Sequence, residues 1–297
     1  MHFSSRFSKA IIKEKKTIDI DKVFKLNKSK EIILPLGSCF LDILCTALQQ
    51  KKYNILFDQK PSTVVNNHLR FFFGNFYNPG NLLDCLERIV LKKWHFKNHD
   101  YVYSKEFGHY INLHHKARFE TQELKLLKDR IKELDSYLIK EIKKATVILL
   151  SFDSVEVWID KLSKKTWYSF YGNIYDQKSY NNRAQLKILN YENIKNIINK
   201  IIKILNKFGE KKIILMTSPH KLMFTHQDRD IEMSDLYSKS SYTSALNDLV
   251  SKNVSYFPAL EIFNNLDEKK KYDEDFVHVK LKVAKDIFEP YFKKMYF

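Results

Sequence analysis

The first apolar run of the chain closes on Pro35-Leu36-Gly37-Ser38-Cys39-Phe40, and amphipathic spacing starts immediately behind it. A serine at such a strand-to-helix turn carries its hydroxyl at the top of a sheet. Free backbone N–H groups and the positive end of the helix lie beside it, and both stabilise the oxyanion of an acyl-transfer intermediate. Gly37 would let a substrate approach the turn closely. Taken alone, Ser38 reads first as a helix N-cap. The second half of the chemistry stands far along the chain, in Tyr272-Asp273-Glu274-Asp275-Phe276-Val277-His278, ahead of the last helical stretch. An aspartate three residues before a histidine can accept the ring N–H, fixing the tautomer whose other nitrogen faces a hydroxyl. Asp-x-x-His is common by itself. Joined to a serine after the first strand, it puts nucleophile, base and orienting carboxylate at one sheet edge. The expected chemistry is acyl transfer, with Ser38 as nucleophile, His278 as base and Asp275 as its partner.

Other residues compete for chemical roles. Cys39 adjoins the nucleophile, but its neighbours do not favour a thiolate over Ser38. His109, His114 and His115 lack the spacing of a zinc site, so no metal is expected there and a surface or substrate-contacting place is. His220, in Ser218-Pro219-His220 just past the fourth apolar run, is expected at the ligand-facing edge. Trp94, Trp158 and Trp167 read equally as sugar-stacking platforms or as core.

The elements that must position these residues are legible in outline. Five short runs rich in β-branched residues, Ile32–Leu36, Asn54–Phe57, Thr146–Phe152, Lys212–Thr217 and Val254–Phe257, are continuous rather than alternating. Such runs suit strands covered on both faces. Helical spacing lies between them, as in Leu127, Ile131, Leu134, Leu138 and Ile142 or Ile194, Ile197, Ile198, Ile201 and Leu205. The alternation predicts a flavodoxin-like three-layer α/β/α fold with about five parallel strands. Residues 60–120 and 153–190, rich in aromatics and Asn, exceed what that fold needs. They are expected as folded insertions roofing the carboxyl ends of the strands, within a single domain over 1–297.

Composition bounds the setting. A net charge of +16 raises nucleic acid and membranes as partners. Arginine is scarce, with seven in all, and the lysines are interleaved with glutamate along helical stretches, so solvated helix faces absorb most of the charge. No nucleic-acid module is present, leaving a phosphorylated donor or an anionic membrane edge as the expected attraction. The three cysteines, Cys39, Cys45 and Cys85, suggest no disulfide framework. The first residues lack the apolar centre of a secretory signal and no run is long enough to span a bilayer. A cytoplasmic place, peripheral to the inner membrane or a biosynthetic complex, is the expectation.

Gly37-Ser38-Cys39-Phe40 matches the motif that names the GSCFA family, which resembles the SGNH/GDSL hydrolases and the PC-esterase-like proteins. The resemblance continues in order through Phe73-Gly74-Asn75-Phe76-Tyr77-Asn78-Pro79, Glu156-Val157-Trp158, Thr217-Ser218-Pro219, Tyr237-Ser238-Lys239, Tyr256-Phe257-Pro258 with Glu261-Ile262, and Asp275 with His278. It implies the triad Ser38, His278 and Asp275. It also implies an oxyanion hole from the Ser38 N–H, a glycine for which Gly74 is the candidate, and a third-block asparagine for which Asn75 and Asn78 are the replacement candidates; Asn78, Glu156, Trp158 and His220 are expected toward the substrate. Where the family carries a glycine after the third strand, Asp153 stands. A carboxylate facing an oxyanion is repulsive, so Asp153 should point away or serve substrate hydroxyls. The activity implied is O-acetyl transfer from acetyl-CoA, with no permanently bound cofactor, onto a bacterial capsular or lipopolysaccharide acceptor. The alternatives are a carbohydrate acetylesterase with the same triad, and a glycan-binding protein with a vestigial one.

Overall fold

Four of the five apolar runs pair as one parallel sheet. The computed structural model describes residues 24–56, 76–104, 108–115, 122–168, 182–267 and 271–297. The sheet contains β1 (Ile33–Gly37), β4 (Val147–Phe152), β7 (Lys212–Thr217) and β8 (Val254–Tyr256), in the order β1-β4-β7-β8. Among the described residues, the remaining run reaches the sheet at Ile55, a single parallel bridge to Ile33. Ile33 donates to Asn54 O at 2.9 Å and Leu56 donates to Ile33 O at 2.8 Å. The order is therefore the expected flavodoxin-like one, with one bridge at the place of its second strand among the described residues.

Side chains of a strand alternate between faces, and here the two sets enter separate cores. Leu34, Leu36, Ile148, Leu150, Ile213 and Leu215 pack with α2 (Pro79–Ile89), α3 (Leu124–Lys144), α4 (Tyr191–Leu205) and α5 (Ile231–Asn247). Ile33, Val147, Leu149, Ile214 and Met216 pack on the other side with α1 (Phe40–Gln50) and α6 (Ala259–Asn264). They also meet the C-terminal helices α7 (Leu281–Val283) and α8 (Glu289–Tyr296), which flank a π-helical stretch, Ala284–Phe288. Helices on both faces make this a three-layer α/β/α fold.

The two extra regions each contribute an antiparallel hairpin. These are β2 (Tyr101–Ser104) with β3 (His109–Asn112), and β5 (Glu156–Asp160) with β6 (Ala184–Ile188). Val102, Leu113, Trp167 and Ala184 form a small core between them. Beside it, Arg183 reaches Asp100 at 3.1 Å and Asp160 at 2.6 Å, and Trp167 Nε1 donates to Asp160 at 2.9 Å. His114, expected near the surface, has a fully buried side chain 3.3 Å from Asp100, with Nδ1 2.8 Å from Thr166 O. His115 is likewise drawn inward, 3.6 Å from Asp135. His114 thus ties the two hairpin regions to each other, while His115 ties the first of them to α3, pairings that their spacing in sequence does not reveal. Among the described residues no helix is long and apolar enough to cross a membrane.

Candidate active site

β1 delivers its last residues against β4. A Cβ built on Gly37 would lie 2.1 Å from Ser151 O, so only glycine allows the two strands this approach. The close neighbour that Gly37 admits is thus the β4 backbone. Ser38 follows with 0% exposure. Its N–H donates to Ser151 O at 2.7 Å and the Ser38 and Ser151 hydroxyls lie 3.3 Å apart. The expected orientation differs from this one: Ser38 faces β4, and its N–H is already used. Cys39 is the residue that faces outward. It occupies the N-cap of α1 at φ −59° and ψ −18° with no side-chain cap bond, and its Sγ lies 3.1 Å from His220 Nδ1.

The loop before α7 brings the base. Asp275 Oδ1 accepts from the N–H groups of Val277 and His278, both at 2.9 Å, while Oδ2 lies 2.5 Å from His278 Nδ1. Phe276 sits between them at φ 57°, a left-handed turn that lets one carboxylate serve two successive amides and the ring. Those bonds, the His278 backbone N–H first and its ring second, hold the Asp275 carboxyl well below the usual carboxylate range. Lys221 donates to Val277 O at 3.3 Å, joining this loop to the one after β7. The rings of His220 and His278 stand 4.9 Å apart, edge to face. Cys39 Sγ and one nitrogen of each histidine all lie within 4.8 Å of one another.

These three residues share a cavity of about 300 Å³ with Asp153, Trp158, Tyr168 and Phe224. It opens where β1, β4 and β7 end, and side chains from both extra regions wall it. One motif from each end of the chain has thus met at one cavity, and the GSCFA family model matches residues 32–291. The chain belongs to the GSCFA family. No curated protein matches it.

The remaining candidates of this GSCFA chain divide by role. Gly74 and Asn75 lie outside the described residues. Asn78 caps α2, accepting from Asn81 N at 3.0 Å, and its amide donates to Glu156 O at 3.3 Å. Glu156 lines the cavity, yet its carboxylate is spent on Thr225 Oγ1 at 2.5 Å, His226 N at 3.0 Å and Gln227 Nε2 at 3.0 Å. It anchors the loop after β7. Trp158 and Trp167 both line the cavity, whereas Trp94 packs elsewhere, donating to Asp84 O at 3.0 Å. Asp153 lines the cavity, and burial pushes its carboxyl up to about 6. His220 is 1% exposed, and its carbonyl accepts from the buried Lys239 Nζ at 2.5 Å. Burial first, then the neighbouring His278 and Lys239, lowers its ring to about 3, so it stays neutral at neutral pH.

Among the described residues, two clusters offer metal-ligand atoms. In the first, Asp100, His114 and Asp160, the guanidinium of Arg183 already occupies the space between the carboxylates. In the second, the Cys39–His220 separation of 3.1 Å is that of a hydrogen bond. Thiolate and imidazole on one tetrahedral zinc would stand roughly 3.6 Å apart, given its bond lengths. The second cluster is therefore arranged for proton exchange between a thiol and imidazoles.

Proposed function

We propose that this protein moves an acyl group, through a covalent intermediate at the β1–α1 turn, onto a carbohydrate hydroxyl. The observation that carries the reading is His278, held by Asp275 and lining the same cavity as Cys39 of that turn. His278 spends one ring nitrogen on Asp275 and keeps the other for the reacting groups. In the first half-reaction it takes the nucleophile's proton and passes it to the leaving group of the donor. In the second it takes the proton of the acceptor hydroxyl, which then attacks the acyl-enzyme. Trp158, Tyr168 and Phe224 supply flat apolar surfaces of the kind that stack on sugar rings. Acetyl-CoA is the donor we propose, drawn by the net charge of +16. The place of action is the cytoplasmic side of the bacterial inner membrane, where surface polysaccharide precursors are made.

The carbohydrate esterase reading shares all of this except the acceptor. It is favoured by the His278 side chain, which is 34% exposed, so water reaches the base before any acceptor binds. Purified protein given acetyl-CoA with an oligosaccharide acceptor, and p-nitrophenyl acetate without one, separates the two. Acceptor-dependent CoA release supports the transferase, whereas hydrolysis indifferent to acceptor supports the esterase. His278→Gln should lower either turnover by about 10²–10⁴-fold. Absence of turnover with both donors would remove the acyl-transfer reading.

A further inference from the structure

Cys39, rather than Ser38, is the residue we propose as the nucleophile of this site, an inference that rests on the acyl-transfer reading above. Three geometric facts separate the neighbours. Cys39 lines the cavity and Ser38 does not. Ser38 has its N–H on Ser151 O at 2.7 Å and its hydroxyl 3.3 Å from the Ser151 hydroxyl, on the far side of the strand end. Cys39 has its sulfur 3.1 Å from His220 Nδ1 and within 4.8 Å of His278. A thiol at the N-cap of α1 also feels the positive end of an 11-residue helix, which favours the thiolate.

A separate observation marks the spot as a place for a ligand. His220 lies 1% exposed in the cavity wall, and its Nε2 has no hydrogen-bond partner among the described residues. A buried polar atom left unpaired costs on the order of 1–3 kcal/mol. A substrate carbonyl or hydroxyl entering beside Cys39 would satisfy it. The two histidines then have different tasks. His220 stays neutral and orients the sulfur, making it a positioning residue, while His278, backed by Asp275, carries the proton.

The steps balance without any further reactant. The S–H proton of Cys39 passes to His278, and the thiolate attacks the donor's acyl carbon. The donor's leaving group departs with that proton, leaving a thioester on Cys39. An acceptor hydroxyl, deprotonated by His278, attacks the thioester. The C–S bond breaks, the new ester leaves and His278 returns the proton to the sulfur.

The test maps the adduct on the unaltered protein, so no variant need fold. Brief exposure to p-nitrophenyl acetate, acid quench and peptide mass spectrometry should place one acetyl group on Cys39, released by neutral hydroxylamine as a thioester is. Iodoacetamide should label Cys39 ahead of Cys45 and Cys85, which are buried. Cys39→Ala should lower turnover about 10³-fold or more, and Ser38→Ala by no more than about tenfold. An adduct on Ser38, with activity surviving Cys39→Ala, overturns the cysteine assignment and leaves acyl transfer standing. Turnover surviving both substitutions, with neither residue acetylated, overturns the covalent acyl-transfer reading itself.

Discussion

Asp153 shows how one side chain in the cavity can set a pH dependence. Its carboxyl is buried in the wall, and burial raises it from an ordinary 3.8 to about 6. The folded protein thus holds a proton there more tightly than the unfolded chain does. Between about pH 4 and 6 the folded state binds more protons, so this group makes stability fall as pH rises, with the full cost reached above pH 6. Asp153→Asn should remove that fall, and at pH 8 it should stabilise the protein by on the order of 2–3 kcal/mol. Urea unfolding at pH 4.5 and pH 8 measures it, and an unchanged difference between the two pH values would refute the assignment. Below pH 6 the neutral carboxyl can also donate a hydrogen bond, which relieves the repulsion expected of an acidic group near an oxyanion. Residue types in this site were legible from the sequence, down to Asp275 and His278. Direction was not: Ser38 and Cys39 are adjacent, and the backbone angles at a strand-to-helix turn decide which one faces the cavity.

At the scale of elements, the site depends on how closely β1 can approach β4. The Gly37 position would put a Cβ 2.1 Å from Ser151 O and 2.7 Å from Ser151 N, both backbone atoms that cannot rotate away. Gly37→Ala must therefore push β1 from β4, with the turn carried along. We expect a loss of about 3 kcal/mol or more, the upper range for overpacking. It should appear as a lowered urea midpoint with an unchanged slope. A midpoint within error of the parent would mean that the strands separate without cost. The main strands were legible because their apolar runs are continuous, as strands buried on both faces require. Of the Asn54–Phe57 run, read as a full strand, the described residues show one bridge, Ile55 to Ile33, a register that composition does not reveal. The hairpins were harder still. β6, Ala184–Ile188, buries little of itself and owes its place to β5 and Arg183 rather than to its own pattern.

Across the whole molecule, the sheet and its two cores provide the floor of the cavity, while the hairpins bring Trp158, Trp167 and Tyr168 to its wall. Besides their small shared core and His114, one cation joins the hairpins to each other. Arg183 lies between Asp100 and Asp160, 1% and 0% exposed, and its Nη1 donates to His99 O at 2.7 Å. Burial alone would raise the Asp160 carboxyl, but hydrogen bonds from Arg183 and Trp167 outweigh it and hold the carboxyl below its ordinary value. Removing one partner of such a set strands buried charge, at a cost of about 3–5 kcal/mol. Arg183→Met should therefore loosen the hairpins before it unfolds the sheet. Amide exchange should quicken across β2, β3 and β5 while β1, β4 and β7 stay protected. The cavity wall loses definition with them, so acyl turnover should fall although Cys39, His278 and Asp275 are intact. If exchange instead quickens equally in the sheet, the hairpins and the sheet unfold as one cooperative unit. The cavity wall would then be as rigid as the sheet beneath it, and water would have to be excluded by the acceptor itself rather than by closure of the wall.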